Sequence, residues 1–314
     1  MNLLTVTGSL PVETIRLMDG HTHAWIMPPD GIAPEARLDL HDAEAIRAEL
    51  HDFRAAGGSA LVDCQPYGCG RDANMLRKLS QETDVAITAT TGFHQRKYYP
   101  PNHWLWSATE DAAADFFIGE LTVGMRETLG AETPQRATTI KVGYEGTIEG
   151  QTRRLMIAAA RASAQTGAVI LFHTEQGKNI EGLLPFFADL GIRAERLYLC
   201  HVDKRPDVGL HRELAQAGVL LGYDTFARPK YAPDQGVWPL LRAMVAADLE
   251  GAIAIGLDLA LPSMWQHFGG QPGMTFLPDQ IVPRLQQEGF KAETILRLTG
   301  QNVAQRLVRV TANA

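Results

Sequence analysis

Two histidines stand one residue apart near the start of the chain, directly after a short apolar run. His21 and His23 occur in the stretch DGHTHAW. Alternate residues of a β-strand point to the same face, so a strand here would present both imidazoles together. Neutral imidazole is a common metal ligand, and the pair supplies half of a chelate. Because an isolated His-x-His also occurs in partly exposed turns, the rest of the sequence must decide between metal binding and a structural role.

Other residues that can bind a divalent metal occur in or at the end of later apolar runs. They are Lys141 in TTIKVG, His173 in AVILFHT, His201 in RLYLCHVD and Asp258 in AIAIGLD. Each alone has an ordinary alternative, namely a salt-bridged lysine, a hydrogen-bonded core histidine or a helix-capping aspartate. Buried polar groups need partners, however, and a metal would gather all of these side chains. The series therefore predicts a metal site.

Lys141 has a chemistry of its own, because a protonated lysine repels a cation. It follows Ile140 within a buried run, and a desolvated lysine loses its proton more readily. The free amine can add carbon dioxide and form a carbamate. That group is anionic, and its two oxygens can bridge two metals.

The composition indicates a folded globular protein and argues against a nucleic-acid-binding protein or a membrane protein. The 314 residues are 45% hydrophobic and 21% charged, with a formal charge of −7. The acidic balance argues against a nucleic-acid partner. We find neither a basic n-region with a long apolar stretch nor an apolar run that would span a membrane, so we expect a cytoplasmic location. Cys64, Cys69 and Cys200 do not suggest a disulfide framework and are expected to be buried thiols.

Eight short apolar runs alternate with helical patterns along the chain. The runs cover residues 16–23, 60–65, 85–92, 138–143, 168–174, 196–203, 218–224 and 252–258. Continuous apolar runs suit strands that are buried on both faces, as in parallel sheets. We therefore predict an α/β fold, a (β/α)8 barrel formed as one domain by residues 1–314. In such a barrel the strand ends converge on one mouth, and the long irregular stretches 93–107 and 261–279 would lie over it.

These residues resemble the phosphotriesterase family of the amidohydrolase superfamily over nearly the whole chain. The resemblance is carried, in order, by GHTHAW, TTIKVGYEG, RASAQTGAVILFHTEQG, LYLCHVD, GVLLGYDTFARPKY, IGLDLA and LTGQNVAQRL. It implies a distorted (β/α)8 barrel that holds two divalent metals, typically zinc, with manganese, cobalt or iron as alternatives. It also implies a homodimer.

By position, the resemblance implies a role for each of the metal-binding candidates. His21, His23 and Asp258 would hold the more buried metal, and His173 and His201 the more exposed one. Carbamylated Lys141 and a hydroxide would bridge the two metals. A pair of metals lowers the pKa of the bridging water, and Asp258 would accept the proton of the attacking hydroxide.

The residues expected to contact a small-molecule substrate lie in the mouth loops. His94 stands where many relatives carry an aromatic residue, and an oxyanion-contacting tyrosine would be Tyr98 or Tyr99. Arg228 and Lys230 are either solvated surface charges or a clamp for a carboxylate or phosphate. We expect Arg96 and Lys97 to add to such a clamp. Trp104, Trp106 and Trp265 would either wall the pocket or anchor the loops.

The basic residues favour a lactone or carboxylic ester with an anionic group as the substrate. A phosphotriesterase or an amidase that uses the same metals is the enzymatic alternative. A barrel that retains its metals only for ligand binding is the alternative from a different class, because a fold alone does not determine function.

Overall fold

The computed structural model describes residues 1–309 of the chain. Its strands are β1 (Asn2–Thr5), β2 (Gly8–Pro11), β3 (Met18–Thr22), β4 (Ala60–Asp63), β5 (Ala86–Thr88), β6 (Thr90–Phe93), β7 (Thr139–Tyr144), β8 (Ile170–Thr174), β9 (Leu197–Cys200), β10 (Leu220–Tyr223) and β11 (Ile253–Ile255). Strands β1 and β2 form an antiparallel hairpin that the sequence analysis did not predict. The other nine correspond to the eight predicted runs, because Ala89 divides the third run into β5 and β6.

The α-helices follow the strands in alternation. They are α1 (Ala43–Ala55), α2 (Ala73–Thr83), α3 (Glu110–Thr122), α4 (Gly150–Thr166), α5 (Leu183–Asp189), α6 (Val208–Ala217), α7 (Val237–Val245), α8 (Val282–Gln287), α9 (Ala292–Leu296) and α10 (Asn302–Leu307). Helix α1 begins after Asp42, whose carboxylate accepts the N–H groups of Glu44 and Ala45. Helix α4 ends at Gly167, which adopts the left-handed conformation with φ of 73°. Every helix within residues 1–309 is too short or too polar to cross a lipid bilayer.

The strands pair in parallel around a closed barrel. Strands β3, β4 and β5 form one sheet, and β6 to β11 pair in chain order in a second. The ring closes where the N–H groups of Leu257 and Asp258, just after β11, donate to the carbonyl of His21 in β3. The predicted (β/α)8 barrel is confirmed.

Alternate residues of each barrel strand pack on opposite faces. In β8, Ile170 and Phe172 belong to the large apolar layer between strands and helices, whereas Leu171 belongs to a smaller interior cluster. Val62, Leu220 and Ala254, from three other strands, join this interior cluster. The interior of the barrel is therefore filled with packed side chains.

The two long irregular stretches follow β6 and β11 and lie at the carboxyl ends of the strands, as predicted. Each contains short 3-10 turns, such as Arg96–Tyr98 and Pro262–Met264. Glu49 of α1 is buried, and its carboxylate accepts the N–H groups of His267 and Met274. The second stretch is thus fastened to the helical layer of the barrel.

Candidate active site

The six predicted metal-binding residues all occur at the mouth of the barrel. His21 lies in β3 and His23 directly follows it, while Lys141 lies in β7 and His173 in β8. His201 directly follows β9, and Asp258 lies three residues after the end of β11. Nζ of Lys141 lies 3.4 Å from Nε2 of His21. Asp258 lies 3.8 Å from both His23 and His201, measured from its carboxylate oxygens to Nε2 and Nδ1. Residues up to 237 positions apart in the sequence therefore meet within one cluster.

The imidazole rings form a continuous series across the mouth. The ring centroids of His21 and His201 are 4.6 Å apart, and those of His201 and His173 are 4.7 Å apart. Two overlapping sets of ligand atoms lie within 4.8 Å of one another and could each hold a metal ion. One set is His21, His23 and Asp258, and the other is His21, His201 and Asp224. His173 belongs to neither set and borders the second through the ring of His201.

Asp224, which the sequence analysis did not single out, joins two of the histidines. Its Oδ2 lies 3.2 Å from Nδ1 of His21 and 2.8 Å from Nδ1 of His201. Its own backbone N–H donates to the buried carboxylate of Asp203. Asp224 ends the predicted run 218–224, so the rule that selected Asp258 would also have found it.

Burial and mutual charge determine the protonation states of the cluster. Burial lowers the pKa of His21 to about 4 and that of His173 to about 3. Burial raises the pKa of Asp258, but His201 and His21 outweigh it and hold that pKa well below its usual range. The site therefore presents neutral imidazoles at His21 and His173 and an ionised carboxylate at Asp258 at neutral pH.

This donor set fits divalent metal ions. Imidazole nitrogens and carboxylate oxygens are typical ligands of zinc. Within residues 1–309, Nδ1 of His23 and Oδ1 of Asp224 are buried without a hydrogen-bond partner, which is costly unless another group occupies the site. Lys141 is fully buried beside His21, and a metal ion next to it requires the loss of its positive charge.

Arg228 lies against Asp258 instead of being a solvated surface charge. Its Nη2 donates to Oδ2 of Asp258 at 3.0 Å and also to the backbone carbonyl of Asp258. Lys230 is exposed, with Nζ 4.9 Å from the centre of the Tyr231 ring. Nζ of Lys204 lies 5.5 Å from the same centre. Lys204 was not predicted to lie in the site, although it follows His201 by only three residues.

The loop after β6 supplies further residues of the mouth. The ring of His94 is buried, 4.8 Å from that of His173 and 4.6 Å from that of Tyr98. The hydroxyl of Tyr99 accepts the backbone N–H of His94 at 2.9 Å and is buried. Tyr98 and Tyr99 were both considered for oxyanion contact. The hydroxyl of Tyr98, unlike that of Tyr99, does not accept the backbone N–H of His94.

Several residues predicted to surround the substrate support the loops instead. Arg96 donates to the carbonyls of Tyr99 and Pro100, so it fastens its own loop. Trp265 is fully buried and its indole N–H donates to the carbonyl of Leu259, which favours the loop-anchor alternative over the pocket wall. The Trp106 ring packs 5.6 Å from that of Tyr99, consistent with the loop-anchor alternative.

A barrel whose mouth gathers neutral imidazoles and ionised carboxylates has the architecture of a metal-dependent hydrolase. The family model described as "Phosphotriesterase family" matches residues 1–307. The chain is 27% identical to the phospho-furanose lactonase of Mycoplasmopsis synoviae over 95% of this chain and 89% of that protein. It is also 27% identical to the N-acetyltaurine hydrolase of Homo sapiens, over 90% of this chain and 82% of that protein.

Solved structures show the same fold. The crystal structure of a lactonase from Listeria monocytogenes superposes with a TM-score of 0.90, at 24% identity, and covers 99% of this chain and 100% of that one. The chain belongs to the phosphotriesterase family. As a member of this family it is a hydrolase that acts on ester bonds.

Proposed function

We propose that the chain is a metal-dependent lactonase whose substrate carries an anionic group, a phosphorylated sugar lactone being the best-fitting class. The observation that carries the proposal is the buried cluster of neutral imidazoles and carboxylates directly beside basic side chains of the mouth. The name of the relative from Mycoplasmopsis synoviae supports the same substrate class.

Two metals are proposed, held by the residues that the resemblance assigns. His21, His23 and Asp258 would hold one metal, and His173 and His201 the other, with carbamylated Lys141 between them. When bound, such metals supply a hydroxide nucleophile near neutral pH and polarise the ester carbonyl. The adjacent Asp224 would orient His21 and His201 through its contacts with their Nδ1 atoms.

Asp258 is the proposed proton acceptor. Its side chain is 16% exposed at the open end of the cluster, so it can reach both the attacking water and the leaving alkoxide. The pKa of this carboxylate is depressed, which keeps it ionised at neutral pH. The proton would then pass to the alkoxide as the lactone ring opens.

The basic residues of the mouth are proposed to bind the anionic group. Arg228 is 19% exposed and uses Nη2 on Asp258, so Nε and Nη1 remain for a phosphate or carboxylate. Lys204 and Lys230 flank Tyr231 nearby. We propose that these three cations recognise the group, with Tyr98 and His94 lining the opposite side.

An amide with a sulfonate group is the second candidate substrate. It is favoured by the relative named N-acetyltaurine hydrolase, and the same cations would bind a sulfonate. Metal-dependent hydrolysis of an amide uses the same nucleophile and proton acceptor, so the site alone does not separate the two reactions.

A substrate panel tests the proposal. Enzyme loaded with zinc or manganese is assayed against sugar lactones with and without a phosphate, an aryl phosphotriester and N-acetyltaurine. We expect the highest kcat/KM for a phosphorylated lactone. A higher kcat/KM for the triester or for the amide would overturn the proposal.

A further inference from the structure

Two polar residues of the mouth contact each other outside the proposed metal cluster. Gln95 follows β6 by two residues, and Glu175 follows β8 directly. Nε2 of Gln95 donates to Oε2 of Glu175 at 3.2 Å. Both side chains also border His173, whose Nε2 lies 3.4 Å from Gln95 and 3.5 Å from Glu175. The pair therefore faces the place where the reaction is proposed to occur.

Gln95 presents a buried acceptor. The residue is 2% exposed, and in the part of the chain that the structure describes its Oε1 is buried without a hydrogen-bond partner. A buried carbonyl oxygen that lacks a donor destabilises the protein, so such an atom in a mouth indicates a ligand that donates to it. Its amide nitrogen is already engaged with Glu175.

Glu175 presents a second acceptor on the same side. Its side chain is 46% exposed, and both of its contacts in the cluster use Oε2. Among residues 1–309, Glu175 forms an ion pair with His173, and no lysine or arginine nitrogen lies within 4.0 Å of its carboxylate oxygens. A carboxylate at this place repels an anion, so the part of the substrate beside it is neutral and carries hydrogen-bond donors.

The barrel places Arg228 apart from Gln95 and Glu175. Gln95 follows the third barrel strand, and Arg228 follows the seventh, which lies across the mouth in a ring of eight. A substrate that reaches from Arg228 to Gln95 must have an anionic end and a hydroxylated end. Hydroxyl groups are the donors that both a carbonyl oxygen and a carboxylate accept.

We propose that Gln95 and Glu175 form a subsite that binds the ring hydroxyl groups of the substrate and selects polyhydroxylated lactones. The inference rests on the proposed lactonase function and deepens it. It assigns the hydroxylated end of the lactone to Gln95 and Glu175, and the anionic end to Arg228 across the mouth.

The test compares two lactones that differ only in their ring hydroxyl groups, one hydroxylated and one deoxy, on metal-loaded enzyme. Wild type is expected to prefer the hydroxylated lactone in kcat/KM. In Glu175→Leu and in Gln95→Leu that preference should fall about 10- to 100-fold, the effect of losing a hydrogen bond to a charged or buried group. Because each ratio is measured on one enzyme preparation, a loss of metal from the variant cancels.

Glu145→Gln is the matched control. Glu145 is an exposed carboxylate that acts on Tyr98 through charge. Within residues 1–309, the side-chain hydrogen bonds of Gln95 go to His173 and Glu175 and not to Glu145. Replacing Glu145 removes one negative charge from the mouth, as Glu175→Leu does, and should leave the preference as in wild type. A preference that is absent in wild type, or that persists in both leucine variants, would overturn the subsite and leave the lactonase proposal standing. Failure to hydrolyse any lactone would overturn both.

Discussion

The imidazole of His21 connects the two halves of the candidate site. Its Nδ1 contacts Asp224, and its Nε2 lies beside Lys141 and 4.0 Å from Asp258. When Nδ1 carries the hydrogen and donates to Asp224, Nε2 is free to bind a metal. A single carboxylate thus orients this ring and that of His201 together.

Asp258 is expected to be essential for turnover. Asp258→Asn should lower kcat for the best lactone about 10²- to 10⁴-fold, because the variant lacks a proton acceptor beside the attacking water. Steady-state kinetics measure the effect, and metal content per chain is determined on the same samples. A variant with normal metal content and wild-type kcat would contradict the assigned role.

Lys141 is expected to act as an anionic carbamate and not as a positively charged ammonium group. Lys141→Met should lose metal, whereas Lys141→Glu supplies a carboxylate at a similar place and should retain more of it. Elemental analysis of both variants after identical loading makes the comparison. Equal metal content in the two variants would indicate that a bridging anion is unnecessary.

Arg228 is expected to contribute to substrate binding. Arg228→Met should raise KM for a phosphorylated lactone about 10-fold or more, since a charge-assisted contact is lost. The same change in exposed Lys230 should have a smaller effect. An equal loss of kcat/KM for phosphorylated and unphosphorylated lactones would show that Arg228 acts on Asp258 alone.

The sequence was most informative for residues in regular strands. His21, Lys141, His173 and Asp258 could be selected because they occur in, or directly after, apolar runs whose direction the barrel dictates. Asp224 obeyed the same rule and was overlooked. Glu175 directly follows the run 168–174 and was overlooked as well. Gln95 could not be found in this way, because the loop conformation determines its contact with Glu175 and no periodic pattern encodes it.

At the level of elements, the eight strand runs were predictable because both faces of each strand are buried. The division at Ala89 was not, since it arises from the transition between two sheets rather than from composition. The hairpin Asn2–Pro11 was missed because its strands are short and partly exposed. The positive φ angles of His201 and Asp258, 65° and 51°, could not be predicted either, because no local pattern indicates them.

A buried ion network joins the loop after β4 to helix α3. Arg71 donates to the Thr90 carbonyl and to the carboxylates of Glu120 and Glu127. Burial raises the pKa of Glu127, but the Arg71 guanidinium outweighs it and leaves the pKa below its usual value of 4.5. The ionised pair therefore stabilises the fold above about pH 4.5, and this contribution is lost as the pH falls through the depressed pKa.

Glu127→Gln should accordingly lower the free energy of unfolding by about 1.5 to 3 kcal/mol at pH 7. Its difference from wild type should shrink as the pH falls below 4.5, because Glu127 becomes protonated in both the folded and the unfolded wild type. Urea unfolding across this range measures the trend. Glu132→Gln, in the exposed part of the same turn, is the control; a difference that is constant with pH would contradict the assignment.

For the whole molecule, metal binding and stability should be coupled, because the proposed ligands come from strands distributed around the ring. Removing metal with a chelator should abolish hydrolysis and lower Tm by about 5 °C, the effect of losing a ligand present at 100-fold above its Kd. Adding zinc back should restore both, as measured by differential scanning calorimetry. Activity that persists after complete metal removal would refute the metal-dependent mechanism.

The barrel closes within the catalytic mouth, because the N–H groups of Leu257 and Asp258 donate to the carbonyl of His21. Breaking these hydrogen bonds would separate two proposed metal ligands, His21 and Asp258. A bound cation should therefore stabilise the closed barrel. Deuterium uptake at the Leu257 and Asp258 amides would then report occupancy of the site directly, being slow in the loaded protein and fast in the stripped one.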